Sequence, residues 1–402
     1  MLQYSDDENI VERIAVTREV EADGLRYPIS GWLDPCCRAV LDAFIDNFAR
    51  GLETGASVCV IHRGRVVADL WGGFSDAACT MPWREDTLCN VMSVTKAMTA
   101  TCLHLLVDRG EVDLDAPVAR YWPSFAANGK SSILVRWLLD NRAGLPVLAD
   151  DLWPGAIFDW QAMVDALAAQ PALFVPGGPP AYHIRTAGFL VGELVRRVSA
   201  QSLGDFFRSQ IAEPHGIDFH IGLRSDEIAR CGEFIAQKTG TLQDSGLHSA
   251  DSLVARSGRQ FPNPIDYNAD VYRRAEIPST NGHGNGRAVA RFYALLQAGR
   301  ILKPHTLAAA LKEQHREREC VMGRKYRQAM GYLLNTPGDF EVGPGENTFG
   351  LLGAGGALGF ADPDAQLGFG YVENRMHAAM GLGERAPRLI AAVYACTGQI
   401  TD

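Results

Sequence analysis

The chain has 402 residues, 47% hydrophobic and 21% charged, which is enough apolar material for a sizeable core and two or three domains' worth of length. Lys plus Arg number 38 against 47 Asp plus Glu, a net charge of −9. That balance argues against nucleic acid as a partner, since affinity there rests on cations facing phosphate, and equally against docking on anionic membranes.

No apolar run approaches the ~18 residues of a spanning helix. The acidic start MLQYSDDENIVERIAV lacks the apolar region of a signal peptide. The nine cysteines form no C-x-x-C pair. An odd count without a secretory signal reads as reduced, mostly buried thiols and predicts a cytoplasmic protein.

Residues 36–50 place Val40, Leu41, Ala43, Phe44 and Phe48 on one helical stripe. SVCVIHRGRVVADLWGG then reads as a hairpin, 56–62 with 65–71, turning at Arg63-Gly64. A helix begins near Ser93 and runs to Arg109, where Gly110 stops it. Predicted helices follow at 131–140, 160–169, 186–199 and 203–212, with Gly/Pro-rich connections such as VPGGPP between them. Residues 240–280 show no clear period and read as a long loop region near a pocket. Helices resume at 287–298 and 304–315. After 348 the pattern returns to strands, TFGLLGAGGALGFADP and AQLGFGYVENRM, turning at Asp362-Pro363, and a last helix covers 386–395.

Strands near both ends, with helices between, predict an α/β (α+β) fold. Residues 1–120 and 290–402 would share one antiparallel sheet flanked by the terminal helices, and 121–289 would form a mostly helical insertion domain. A cleft between the two is a favoured place for a small-molecule site.

The sharpest chemical feature is Ser93-Val94-Thr95-Lys96 at a helix start. Positions i and i+3 share a helical face, so the lysine amine can reach the serine hydroxyl. The helix start supplies unpaired N–H groups and partial positive charge. A partly buried lysine there has a depressed pKa and can accept a proton, and a serine so activated attacks a carbonyl. The plain alternative is a serine cap beside an exposed lysine. Tyr182, just after a Pro/Gly-rich loop, is placed to shuttle a proton, or is simply an aromatic in the core. Leu351-Leu352-Gly353-Ala354-Gly355-Gly356 puts small residues where a substrate can lie against backbone, and an exposed N–H there could complete an oxyanion hole with that of Ser93. The alternative is a glycine-rich strand packed on a helix.

Taken together, VMSVTKAMTA, VDLDAPVARYWP, LLDNRAGLP, PPAYHIRTAGFLVGELVRRV, NGHGNGRAVARFYA and GAGGALGFADP resemble the serine β-lactamase/penicillin-binding-protein superfamily. Within it the chain is most similar to the family VIII carboxylesterases and related acyltransferases. The resemblance runs from about residue 40 to the C-terminus. It implies that Ser93 is the acylated nucleophile, Lys96 its general base or proton partner, and Tyr182 the tyrosine of the second motif. It implies further that 351–353 is the third motif, with Ala354 and Ser93 donating the oxyanion N–H groups, and that Ile184, Leu351, Leu352, Gly353 and Gly355 line the substrate. His283, in Asn281-Gly282-His283-Gly284-Asn285-Gly286, either lines the cleft or sits in a structural turn, and the turn is the favoured reading. The β-lactamase-like fold follows, with a small-molecule ester or acyl donor as partner and no cofactor or metal.

Three departures stand out. Leu351 replaces the cation that holds a substrate carboxylate in penicillin-recognising relatives, Ile184 stands where lactamases carry Asn, and Asn141 stands where relatives often show His. An apolar pair cannot anchor a carboxylate, so these changes point away from β-lactams and toward a neutral, fairly apolar group. Gln237-Lys238-Thr239-Gly240 spells the family's third motif far from its usual place and reads as a loop. No G-x-S-x-G elbow, H-E-x-x-H pair or dinucleotide loop is present. The expected function is a carboxylesterase acting through an acyl-enzyme. The alternatives are a biosynthetic acyltransferase, then a β-lactamase or D-amino-acid peptidase, or a non-catalytic binding protein.

Overall fold

A computed structural model describes residues 13–236, 249–377 and 381–398. The Lys238 motif lies outside the described residues. The strands in chain order are β1 (Ile14–Ala22), β2 (Leu25–Leu33), β3 (Gly55–His62), β4 (Arg65–Gly73), β5 (Cys89–Asn90), β6 (His220–Ile221), β7 (Gly282–Gly284), β8 (Arg327–Gln328), β9 (Leu333–Leu334), β10 (Phe349–Leu352), β11 (Leu358–Asp362) and β12 (Leu367–Glu373).

Nine strands form one antiparallel sheet in the order β1-β2-β4-β3-β12-β11-β10-β9-β8. The two ends of the chain meet at its centre, where β3 pairs with β12 from Ala56↔Glu373 to His62↔Leu367. This is the β-lactamase-like architecture expected from the sequence. The expected hairpin is present with its turn at Arg63-Gly64, both at positive φ. An outer hairpin, β1–β2, precedes it and was not anticipated. Its two-residue turn is Asp23-Gly24, again both at positive φ, the geometry that Asp-Gly favours between twisted strands.

Helices α1 (Arg38–Ala49) and the C-terminal Arg385–Thr397 pack together beside the sheet. The Gly286–Gln297 helix lies directly on β12, β3 and β11. Glycines make that approach possible. A Cβ at Gly370 would collide with the Gly286 carbonyl and the Ala290 amide, and one at Gly359 with Tyr293 and Val289. This helix therefore belongs with the sheet from residue 286 onward.

The intervening helices are α2 (Thr95–Asp108), α3 (Val135–Leu139), α4 (Trp160–Ala169), α5 (Thr186–Ser199) and α6 (Leu203–Phe207). Helix α2 is buried on nearly every side, as a central helix must be. Helix α3 is shorter than predicted because Ile133 and Leu134 are taken into extended pairing with 117–118. The predicted 304–315 helix stops at Ala310 because His315 pairs with Gln328. The segment 208–212 continues α6 as a wider π turn. Strands β5, β7 and β6 form a separate three-stranded sheet, so residues 282–284 are a strand, correcting the reading of NGHGNG as a turn.

Candidate active site

Ser93 stands on a sharp turn between β5 and α2. Met92 is held at φ +47°, uncommon for a residue with a side chain. Its N–H donates to Asn90 Oδ1 at 2.9 Å, and its carbonyl accepts from Thr95 Oγ1 at 2.6 Å. Backbone strain of this kind persists only where the surroundings over-determine it. A short 3₁₀ turn, Met92–Val94, leads into α2, so Ser93 precedes the helix and Lys96 occupies its first turn.

The spacing of S-x-x-K translates into contact. Lys96 Nζ donates to Ser93 Oγ at 3.1 Å, to the Ile184 carbonyl at 2.9 Å and to the Ser279 carbonyl at 3.0 Å. No carboxylate is among these partners. Burial, reinforced by the positive charge of Arg185, holds the lysine well below its usual range. Tyr182 donates its hydroxyl to Ser93 Oγ at 3.1 Å. Burial pushes that phenol up, although the Ser93 hydrogen bond and Arg185 oppose the shift. The serine hydroxyl therefore lies between an amine whose proton-free form is favoured by its surroundings, and which can then take a proton, and a phenol kept intact by burial, which can give one.

Tyr182 is positioned from below by Glu319, a residue the sequence did not single out. The Glu319 carboxylate accepts the backbone N–H groups of Tyr182 at 3.0 Å, Val321 at 2.8 Å, Met322 at 2.7 Å and Arg324 at 3.1 Å. Asn141, at φ +64°, accepts the His183 N–H at 3.2 Å through its side chain and the Ala181 N–H at 2.9 Å through its carbonyl. Ser279, also unanticipated, contributes its carbonyl to Lys96 and its hydroxyl to the Arg185 carbonyl at 2.7 Å. Nothing local in the sequence marks these contacts.

The third segment lies beside the Ser93 turn. Strand β10 contacts Met92–Val94, and the Gly353 Cα faces the Val91 carbonyl so closely that a Cβ would not fit. Leu351 is buried, Leu352 is half-buried and Ala354 is exposed. Among the described residues, no acceptor takes the N–H of Ser93 or of Ala354. The loop is anchored from behind. Gly353 N–H donates to the Ala357 carbonyl at 2.7 Å. The Gly355 carbonyl accepts from Arg385 Nη2 at 2.6 Å and from the His377 N–H at 2.9 Å. Arg385 in turn donates to Glu53 Oε2 at 2.8 Å, and Tyr371 donates to the other Glu53 oxygen. Glu373, in the same buried cluster, is pushed up to about 8 by burial.

Three of the expected lining residues, Ile184, His283 and Gly355, are buried. Ile184 is buried in a small apolar cluster with Ala181, Val254 and Val321, and its carbonyl accepts from Lys96 Nζ. His283 lies on β7 between Asn90 and His220 and is 2% exposed. Burial and Arg273 lower it to about 3, so it is a neutral interior residue. Gly355 is buried and at positive φ.

No helix among the described residues is long and apolar enough to cross a membrane, and no group of three His, Cys, Asp or Glu among them is placed to hold a metal ion.

Comparison with known proteins agrees with this geometry. Esterase/beta-lactamase LipL of Mycobacterium tuberculosis is 33% identical over 380 residues, 89% of this chain and 86% of that protein. A family VIII carboxylesterase of known crystal structure superposes with a TM-score of 0.84 at 37% identity, covering 92% of this chain and 99% of the other. A penicillin-binding protein homolog from Caulobacter crescentus gives 0.83 at 34%, with the same coverage. The profile of one family, beta-lactamase, matches residues 42–394. The match takes in the Ser93 turn, the Tyr182 loop and the third segment alike, and the chain belongs to the beta-lactamase family.

Proposed function

We propose that the protein is a serine carboxylesterase that cleaves small-molecule esters through an acyl-enzyme on Ser93. The observation that carries this reading is the Ser93 hydroxyl held at 3.1 Å from both Lys96 Nζ and Tyr182 OH. The similarity to a family VIII carboxylesterase supports ester substrates.

Ser93 Oγ attacks the ester carbonyl while its proton passes to the neutral Lys96 amine. The carbonyl oxygen becomes an oxyanion facing the N–H groups of Ser93 and Ala354. As the tetrahedral adduct collapses, the C–O bond to the alcohol breaks. Tyr182 gives its phenol proton to the departing alkoxide and regains one from the Lys96 ammonium. Water then repeats the sequence on the acyl-enzyme and releases the acid. An alcohol or amine in place of water would make the same site an acyltransferase.

The domain division favoured by this reading sets the sheet, with the helices lying on it, against the helical elements between 121 and 285. Ser93 and the third segment face Tyr182 across that division. None of the nine thiols is in a disulfide, which suits a cytoplasmic protein.

The test is intact-protein mass spectrometry after mixing with short-chain activated esters. A transient acyl adduct is expected in the wild type and absent in Ser93→Ala. Its decay in water against its decay with added alcohols sorts hydrolase from transferase. Absence of an adduct and of turnover in the wild type would remove the esterase reading.

A further inference from the structure

Arg185 follows Ile184 in the Tyr182 loop and stands directly before α5. Its backbone is bolted to the cradle of Lys96, since its carbonyl accepts the Ser279 hydroxyl at 2.7 Å and its neighbour's carbonyl accepts Lys96 Nζ. Its guanidinium lies 4.9 Å from the centroid of the Phe261 ring. Phe261 in turn packs edge-on against Phe158 at 6.3 Å and at a tilt against Tyr272 at 6.4 Å, so the stem of the side chain is fixed by an aromatic wall.

Among the described residues this cation has no counter-ion. The guanidinium groups of Arg142, Arg208, Arg287 and Arg385 each meet a carboxylate within 2.8 Å. Arg185 forms no ion pair among the described residues, and its Nε is buried without a partner. Glu319, the carboxylate nearest in role, is spent on four backbone N–H groups. The charge of Arg185 bears on Lys96 and Tyr182, the two hydrogen-bond partners of the Ser93 hydroxyl. The side chain is half-buried, and the planar fork of a guanidinium fits a carboxylate bidentately.

We propose that Arg185 binds a carboxylate of the substrate, so that the preferred esters are hemiesters, small molecules carrying one ester and one free carboxylate. The proposal rests on the esterase reading of Ser93. It also refines the expectation of a neutral substrate. Leu351 and Leu352 still suit an uncharged segment, while the anion is held from the tyrosine loop, where the third motif no longer supplies a cation.

The test separates binding from turnover. In Ser93→Ala, which cannot form the acyl-enzyme, calorimetric titration compares an intact succinate hemiester with its neutral methyl diester. The hemiester is expected to bind about tenfold to a hundredfold more tightly. The preference should disappear in Ser93→Ala/Arg185→Gln and return in part in Ser93→Ala/Arg185→Lys. Equal binding of the two esters, or a preference that survives Arg185→Gln, overturns the proposal. Wild-type acylation by the hemiester and by the neutral diester is followed separately by mass. Failure of both to form an adduct, with the hemiester binding preference intact, would overturn the esterase reading and leave the anion site standing.

Discussion

The Arg385 guanidinium bridges Glu53 and the Gly355 carbonyl, joining residues 332 positions apart to the loop that presents the Ala354 N–H. Arg385, Glu53, Tyr371 and Glu373 are all buried, so the loop 353–357 rests on a charged anchor inside the protein.

Arg385→Met should leave Glu53 buried without its cation. The expected loss is about 3–5 kcal/mol of stability, as when one partner of a buried pair is removed. If the variant folds, kcat should fall by up to about 10²-fold, the cost of one oxyanion donor, with KM little changed. Denaturant unfolding and steady-state ester kinetics check the two halves. Arg385→Lys should recover part of each.

Lys96→Arg tests the neutral amine. A guanidinium stays protonated and cannot serve as base, so kcat/KM should drop by about 10²–10⁴-fold. In the wild type, kcat/KM should rise with pH through the lowered lysine pKa and fall only when the raised Tyr182 phenol ionises. The stability effect has a fixed sign. Between the lowered folded value and the ordinary lysine value of 10.5, the unfolded chain binds one more proton than the folded chain. This group therefore makes stability rise with pH across that window, and the contribution is lost as pH falls through it. Lys96→Met should flatten that slope in unfolding curves taken as a function of pH.

Glu319→Gln should act through Tyr182. The amide offers one acceptor oxygen where the carboxylate receives four N–H groups. A loss of about 1–3 kcal/mol is expected from the unsatisfied donors, together with a fall in kcat larger than any rise in KM. In a Tyr182→Phe background the same substitution should cost stability but little further activity. An undiminished effect on kcat in that background would contradict a role through Tyr182.

Gly370→Ala should lift the Gly286–Gln297 helix off β12. The new methyl meets the Gly286 carbonyl and Ala290 N–H, backbone that cannot rotate away. Overpacking of this kind costs about 1–3 kcal/mol. Thermal unfolding should show the loss, and a variant as stable as the wild type would disprove the close packing.

What was legible in the sequence was what is local. S-x-x-K needs only the helical repeat to bring Lys96 to Ser93, and the Arg63-Gly64 hairpin and the Phe349–Glu373 strands follow from alternation and turn residues. The β1–β2 hairpin was equally readable from Asp23-Gly24 between alternating runs, but its strongly acidic surroundings masked the pattern. The rest depends on pairings across the chain. Glu319 meets Tyr182 from 137 residues away, and Ser279 meets Lys96 from 183. His283 looked like a loop residue because its strand is only three residues long and takes its partners from residues 89–90 and 220–221. Met92 carries no glycine signal for its positive φ, which the buried Asn90 and Thr95 contacts impose.

The seam between β3 and β12 sets the order in which the site comes into being. During synthesis the Ser93 turn and Tyr182 leave the ribosome well before residues 349–397. Until that last stretch arrives, β3 lacks its central neighbour and Glu53 lacks Arg385. The nascent chain thus holds the nucleophile and its proton partners without the loop that faces the oxyanion. Such distant pairings close slowly, so esterase activity should mark completion of the sheet, and a chain stopped before residue 349 should be silent however well its helices have formed.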